Sequence, residues 1–278
     1  MKNVYLCSFA SPDLKKTEKR FLKEAMSMNL YKKIKIYHYK DLNETTKKKI
    51  KYIKKSEKRG FGCWIWKPFI VNDFLKKIEY GSILHYLDIG YSYNINGKKR
   101  LLQYFNICNK KNILIFQYKK TKKKIFKKYK QKVFYEHQYT KRDLWDNKFQ
   151  IKENSKIMNS GQILAGTFMI KKNYFTIEII KKWLNISKKI NLINNKPSAK
   201  IELKSFIEHR HDQSIFSLLC KKNKIKSLSS TEVEGLNIRN KTNWNYHKNY
   251  PLLAKRDKKR DFFGFLIKII DKFGFYTS

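Results

Sequence analysis

Arginine, acidic residues and cysteine are all scarce in this chain. Of its 278 residues only eight are Arg, at positions 20, 59, 100, 142, 210, 239, 256 and 260, and only 22 are Asp or Glu. With 64 Lys and Arg the net charge is +42, which by itself points to nucleic acid or an anionic membrane. The shortage of arginine weakens that inference, because bidentate phosphate and base-edge contacts draw on the guanidinium fork. Lys, Asn, Ile, Tyr and Phe are abundant throughout, as A/T-rich coding would produce, so many lysines read as solvated bystanders. The four cysteines, Cys7, Cys63, Cys108 and Cys220, lack CxxC spacing and sit among apolar neighbours. That excludes a zinc site or a disulfide framework and suits reduced core residues of a cytosolic protein. No stretch approaches the ~20 apolar residues of a membrane span, and the N-terminal MKNVYLCSFASPD is too short an apolar run for a signal peptide. Internal repeats are absent as well. What the chain does have is 41% apolar residues with 19 Phe, 18 Tyr and 5 Trp, enough for a full globular core.

Asn3 to Phe9 reads as a buried strand, followed by a turn at Ala10 to Asp13, a helix over Lys15 to Met28 and a strand over Ile34 to Tyr39. A lysine-rich helix from about Thr45 to Lys58 leads into a structured loop, GFGCWIWKP, and then a helix over Phe69 to Ile78, with Pro68 suited to its first turn. Further strands are expected at Ser82 to Leu87, Ile113 to Tyr118 and Gln162 to Ile170. Helices are expected at Lys98 to Asn106, Lys141 to Lys148, Phe175 to Ile186 and Asp212 to Lys222, with a charged surface helix over Lys119 to Lys132. The alternation predicts an α/β domain with a mostly parallel central sheet flanked by helices, over residues 1–254. Residues 255–278 form a basic, amphipathic C-terminal segment.

In open α/β sheets ligands bind beyond the carboxyl ends of the strands. Asp88 closes the apolar strand that ends at Leu87 and is followed by Ile89 and Gly90: a carboxylate for a cation or ribose hydroxyls, then room for a diphosphate. Capping a turn is the competing role for such an aspartate. HRHDQS (His209 to Ser214) is the densest polar cluster in the chain and precedes an apolar helix, so Asp212 is placed either as an N-cap or as a reacting carboxylate.

Four segments in this order, GFGCWIWKP, ILHYLDIGYSYN, GQILAGTFMI and HRHDQSIFSLL, resemble bacterial and viral GT-A-type glycosyltransferases that act on polysaccharide chains. The resemblance spans roughly Lys2 to Asp257 and is most specific in GxGxWxWKP and HRHDQS. It implies a GT-A-like Rossmann-type fold and transfer of a hexose from a nucleotide-sugar donor to a glycan or lipid-linked oligosaccharide acceptor, in capsule, lipopolysaccharide or viral glycan synthesis. It maps the donor site to Asp88, Gly90, Lys67, Trp66, Gln162, Ala165 and Gly166, with Lys67 offsetting charge on the leaving diphosphate. The catalytic group becomes Asp212, His211 and Gln213, with Asp212 a general base in an inverting enzyme or an oxocarbenium stabiliser in a retaining one. Arg210, Glu136 and Lys141 are assigned to the acceptor side or cleft, with Glu232 a further cleft candidate. A divalent cation, Mn or Mg, is implied with Asp88 and His247 as its ligands, although Gly90 stands where a full DxD motif carries its second carboxylate.

Each assignment has a structural competitor. Trp64 and Trp66 suit a core, Gly166 suits tight packing, His247 suits packing beside Trp244 and Tyr246, and His38 and His85 suit satisfied structural roles. At the C-terminus KRDKKR precedes Phe262, Phe263, Leu266, Ile269 and Phe273, a pattern that fits either docking on an anionic membrane surface, at its cytoplasmic face, or a terminal helix folded onto the domain. The alternative function is a basic nucleic-acid-binding protein without enzymatic activity, contacting phosphates through Lys119 to Lys132. The arginine shortage argues against specific nucleic-acid recognition.

Overall fold

A computed structural model describes residues 3–57, 59–119, 133–234, 236–238, 241–243, 247–256 and 265–266. The chain opens with strand β1 (Val4–Phe9), helix α1 (Lys15–Ser27) and strand β2 (Lys33–Tyr37), which pairs parallel with β1. Helices α2 (Glu44–Lys54) and α3 (Trp66–Lys77) precede β3 (Ile83–Leu87), which pairs parallel with the other edge of β1. After the short β4 (Ser92–Tyr93) come α4 (Lys98–Lys111) and β5 (Ile113–Gln117). β6 (Thr167–Lys171), α5 (Tyr174–Ser187), α6 (His211–Lys222) and β7 (Ser227–Ser229) complete the central layer. A hairpin of β8 (Leu236–Ile238) and β9 (Lys241–Asn243) follows, and β10 (Leu252–Leu253) returns to pair antiparallel with β4.

The six-stranded sheet runs in the order β2-β1-β3-β6-β5-β7. Five strands share one direction; β6 runs against its neighbours β3 and β5. This is the expected mixed α/β layer, with one strand reversed. Because helices cover both faces, the strands are buried on both sides and read as continuous apolar runs. Along β1, Tyr5 and Cys7 pack into one core with Phe74, Trp183 and Phe216 from α3, α5 and α6. Val4 and Leu6 pack into the other with Phe21 and Ala25 of α1 and Leu101 and Phe105 of α4. His85 on β3 is a satisfied core histidine: Nδ1 meets Tyr31 Oη at 2.8 Å, Nε2 meets Thr167 Oγ1 at 3.2 Å, and burial pushes its pKa down to about 3.

Some boundaries differ from expectation. The strand anticipated from Gln162 begins only at Thr167, because residues 161–163 make isolated bridges with Tyr135 and Gln117 while Ala165 and Gly166 turn the chain. The helix anticipated from Phe69 starts at Trp66, so Lys67 and Pro68 lie in its first turn. Lys141 to Lys148 forms a wide helical turn over Asp143–Lys148 rather than a regular helix. Among the described residues no helix is long and apolar enough to cross a membrane. Residues 120–132, Trp244, Tyr246 and, apart from Phe265 and Leu266, residues 257–278 lie outside the described residues, and with them the charged surface helix and most of the C-terminal segment.

Gly161 tests the packing that carries the chain from β5 towards the site. A Cβ there would fall 2.0 Å from the carbonyl oxygen of Tyr118, a backbone atom that cannot rotate away. Gly161→Ala is expected to lower unfolding free energy by about 1–3 kcal/mol, read as a shifted denaturant midpoint at constant slope.

Candidate active site

The site begins where β3 runs out. The Asp88 amide donates to the Gly166 carbonyl at 2.8 Å, and the chain turns so that the Tyr91 amide donates back to the Asp88 carbonyl at 3.0 Å. The turn is gripped from α1. Arg20 donates to the carbonyls of Ile89 (3.0 Å) and Tyr91 (2.9 Å) and pairs with Glu24 (2.8 Å), whose carboxylate in turn accepts from the Tyr93 amide at 2.9 Å. The planar guanidinium reaches several acceptors in a fixed geometry, which a lysine cannot do. A Cβ on Gly166 would lie 3.2 Å from Asp88 Oδ2 and 3.2 Å from Tyr91 Oη, so a larger residue here would press on both side chains.

Lys67 arrives by an unusual route. Gly60, Phe61, Gly62, Cys63 and Trp64 all have φ between 51° and 85°, a left-handed turn closed by Cys63 N–H to the Arg59 carbonyl (3.0 Å) and Trp64 N–H to the Gly60 carbonyl (3.1 Å). For residues other than glycine this conformation costs roughly 1–2 kcal/mol each. Glycine is required at 60 because a Cβ there would meet the Trp64 ring at 2.2 Å. The turn starts α3 with the Lys67 side chain pointing inward, 3% exposed. Its Nζ donates to the Ala165 carbonyl (3.0 Å) and lies 3.2 Å from Asp88 Oδ1 and 3.3 Å from Asp212 Oδ2. Burial pulls the lysine pKa down, but Asp212 and Asp88 outweigh it and hold the ammonium charged. Trp66 is buried: it stacks on Phe9 at 4.0 Å, its Nε1 donates to the Gly60 carbonyl at 3.3 Å, and its ring centre lies 5.9 Å from Lys67 Nζ. It belongs to the core and not to the surface that would meet a donor.

Asp212 is held from two sides in the first turn of α6. Its carbonyl accepts from Trp183 Nε1 at 3.1 Å, and the preceding His211, itself at φ 51°, donates Nδ1–H to the Ile193 carbonyl at 2.6 Å while its ring packs on Trp64. The Asp212 side chain is 4% exposed against 34% for Asp88, and its Oδ2 has the Lys67 ammonium at 3.3 Å and no further partner among the described residues. Burial pushes its pKa up to about 7; Lys67 opposes the shift and Asp88 adds to it. Burial also lowers the His211 pKa, and its Nε2 has no hydrogen-bond partner among the described residues. Two carboxylates share one ammonium, and Asp212 Oδ2 has only that ammonium, at 3.3 Å, as a partner among the described residues.

Other anticipated residues divide. Gln162 and Gln213 join the site through a 2.8 Å bond from Gln213 Nε2 to Gln162 Oε1. The Arg210 guanidinium lies over Phe134 and Tyr139, 4.0 and 4.8 Å from the ring centres, beside Glu208. Glu136 and Lys141 do not face a cleft. Glu136 is fully buried and paired with Lys221 at 2.7 Å. Lys141 Nζ pins the carbonyls of Asn191 (2.8 Å) and Lys196 (2.6 Å). Glu232 is likewise a structural anchor for Arg100 and Tyr104. His247 is buried with Nε2 donating to the Thr231 carbonyl at 2.6 Å.

A resident divalent cation fits this donor set poorly. Among the described residues no three side chains of the metal-ligating kind converge. Asp88 Oδ1 already accepts from the Tyr86 hydroxyl (2.5 Å) and faces the Lys67 ammonium, and Gly90 contributes no ligand.

No family model matches the sequence, and no curated protein matches it. Solved structures similar to it include a glycosyltransferase involved in glycosylation of the major capsid of PBCV-1, at 12% identity over 92% of this chain and 98% of that one, TM-score 0.46. Mouse xyloside xylosyltransferase 1, apo form, is similar at 10% identity over 83% of this chain and 86% of that one, TM-score 0.41. Neither likeness identifies a family.

The raised Asp212 pKa gives a stability signature. A folded-state pKa near 7, above the usual 3.8, means folding takes up a proton between those values. The contribution of this group to stability is therefore greatest below pH ~4 and is lost as pH rises to about 7. Carboxyl ¹³C titration should place the Asp212 midpoint near 7, and in Lys67→Met the midpoint should move higher. Urea unfolding should show Asp212→Asn gaining stability relative to wild type between pH 4 and 7.

Proposed function

We propose that this protein is a nucleotide-sugar-dependent glycosyltransferase whose donor and catalytic groups are Asp88, Lys67, Asp212 and Gln213. The observation that carries this reading is the convergence of three sequence-distant motifs on one ammonium: Lys67 from GFGCWIWKP, Asp88 from YLDIG and Asp212 from HRHDQS. A structural cap for Asp88 or Asp212 requires no such meeting. The place supports the reading too, since the groups gather beyond the carboxyl end of β3, with Gly166 keeping the approach to Asp88 narrow but open.

In this scheme Asp88, on the more exposed side, orients the donor through its free carboxylate edge. Asp212, buried and with Lys67 as the one partner of its Oδ2 among the described residues, accepts a hydrogen bond from a sugar hydroxyl or stabilises positive charge developing at the anomeric carbon. Water is excluded around Asp212, so each such interaction is worth more than in bulk solvent. Lys67 keeps the two carboxylates from repelling one another. It is fully engaged with protein groups, so the charge of a leaving diphosphate falls to groups other than Lys67 unless one of its contacts is given up. The acceptor in this reading is a glycan or lipid-linked oligosaccharide of a surface polysaccharide. Specific nucleic-acid binding has no support in the site, and the lysine tract that would carry it lies outside the described residues.

The test is a panel of UDP- and GDP-hexoses, followed as hydrolysis and as transfer. One donor is expected to turn over, with Asp88→Ala and Asp212→Asn each lowering kcat by about 10²-fold or more. Activity should survive EDTA, given the poor fit to a metal. A panel that stays silent, or activity unchanged in both variants, would remove the reading.

A further inference from the structure

Behind Gln213 lies a buried relay with a fixed direction. Glu136 is fully buried and receives Lys221 Nζ at 2.7 Å, together with the hydroxyls of Ser217 and Thr140. Surrounded by an ammonium and two hydroxyl donors, its carboxylate acts as an acceptor only. The Gln162 amide nitrogen sits 3.2 Å from Glu136 Oε2 and 3.0 Å from the Tyr139 carbonyl. Neither of those oxygens can donate, so the amide nitrogen must face them, and the orientation of this glutamine follows from its partners' chemistry. Its oxygen is thereby turned to accept from Gln213 Nε2 at 2.8 Å. That leaves Gln213 Oε1 to face the Ala165 amide at 3.4 Å, a group that can only donate. The hydrogen bonds all run one way, from Ala165 through Gln213 and Gln162 to Glu136. At the start of the relay the Ala165 carbonyl accepts from Lys67, which joins it to Asp88 and Asp212.

One hydrogen of the Gln213 amide is used on Gln162, and the other has no acceptor among the described residues. Gln213 is half-buried and adjoins Asp212 in the first turn of α6. We propose that Glu136, although sealed from solvent, is a positioning residue that fixes Gln213 as a hydrogen-bond donor towards a substrate oxygen. The assignment of that oxygen to a sugar rests on the glycosyl-transfer reading; the control of Gln213 by Glu136 does not. A chain of aligned amides ending on a carboxylate also polarises each member, which strengthens the outermost donor. The paired Lys221 offsets the buried charge, so the relay costs less than a lone carboxylate would.

The experiment uses the full chain in two variants. Glu136→Gln/Lys221→Met removes the charge and its partner while keeping size, and Gln162→Met cuts the middle link. The Gln213 side-chain NH₂ resonances, assigned by their loss in Gln213→Glu, should be a single slowly exchanging pair in the wild type. In both variants they should shift and broaden or double as the amide samples both orientations. With the donor found active in the UDP- and GDP-hexose panel, kcat should fall about 10- to 100-fold at nearly constant KM. Wild-type amide positions in folded samples of both variants would overturn the inference. So would a displaced amide with unchanged kcat. A wild-type protein inactive on every donor would instead count against glycosyl transfer, and the amide resonances would still decide whether Glu136 controls Gln213.

Discussion

One buried ammonium, that of Lys67, makes a single site out of two carboxylates that the chain delivers from opposite directions. Asp88 comes off the end of β3 and Asp212 off the start of α6, and without a cation between them both could not stay ionised at this separation in a dry interior. Burying an ammonium costs several kcal/mol unless it is paired and hydrogen-bonded, and Lys67 has two carboxylates and a carbonyl. Burial raises the Asp212 pKa and Asp88 adds to the shift, while the one ammonium, shared between two carboxylates, opposes it only in part.

Much of the surrounding architecture holds these three groups in register. The left-handed turn over 60–64 stores backbone strain to start α3 at the depth Lys67 requires, and strain of this kind persists only where neighbouring packing overdetermines it. Here the Trp64 ring over Gly60, the Phe9–Trp66 stack and the His211–Trp64 contact supply that packing. On the other side Arg20 grips the Asp88 turn, and the β4–β10 pairing brings a late segment of the chain back against the strand that follows it.

Much of this was legible in the sequence. A Gly-Phe-Gly stretch crowded with tryptophans announces a constrained turn, an aspartate after an apolar strand announces a strand end, and a polar cluster before an apolar run announces a helix start. These local signals located Lys67, Asp88 and Asp212. Their meeting was not local. Strand direction was equally hidden, because β6 is apolar on both faces whether it runs with or against β3 and β5. Arg20 sits in a helix crowded with lysines and looks like any of them until its carbonyl partners are seen. Nothing local in EHQYTKRDLW separates a cleft position for Glu136 and Lys141 from a buried one; each is buried with its partners supplied by α6 or by the segment after α5. Trp66 illustrates the opposite limit, since its aromatic neighbours fit a ligand loop and a core equally well.

The claim that Lys67 binds the two carboxylates into one site can be tested without any substrate. Selective ¹³Cε labelling would follow the titration of Lys67 in the wild type, in Asp88→Asn, in Asp212→Asn and in the double variant. The wild-type lysine should titrate above the ordinary value, since the carboxylates outweigh burial. Each single variant should lower the midpoint, and the double variant, left with burial alone, should fall below the ordinary value. A midpoint that ignores either aspartate would mean that Lys67 does not join the two carboxylates into one site.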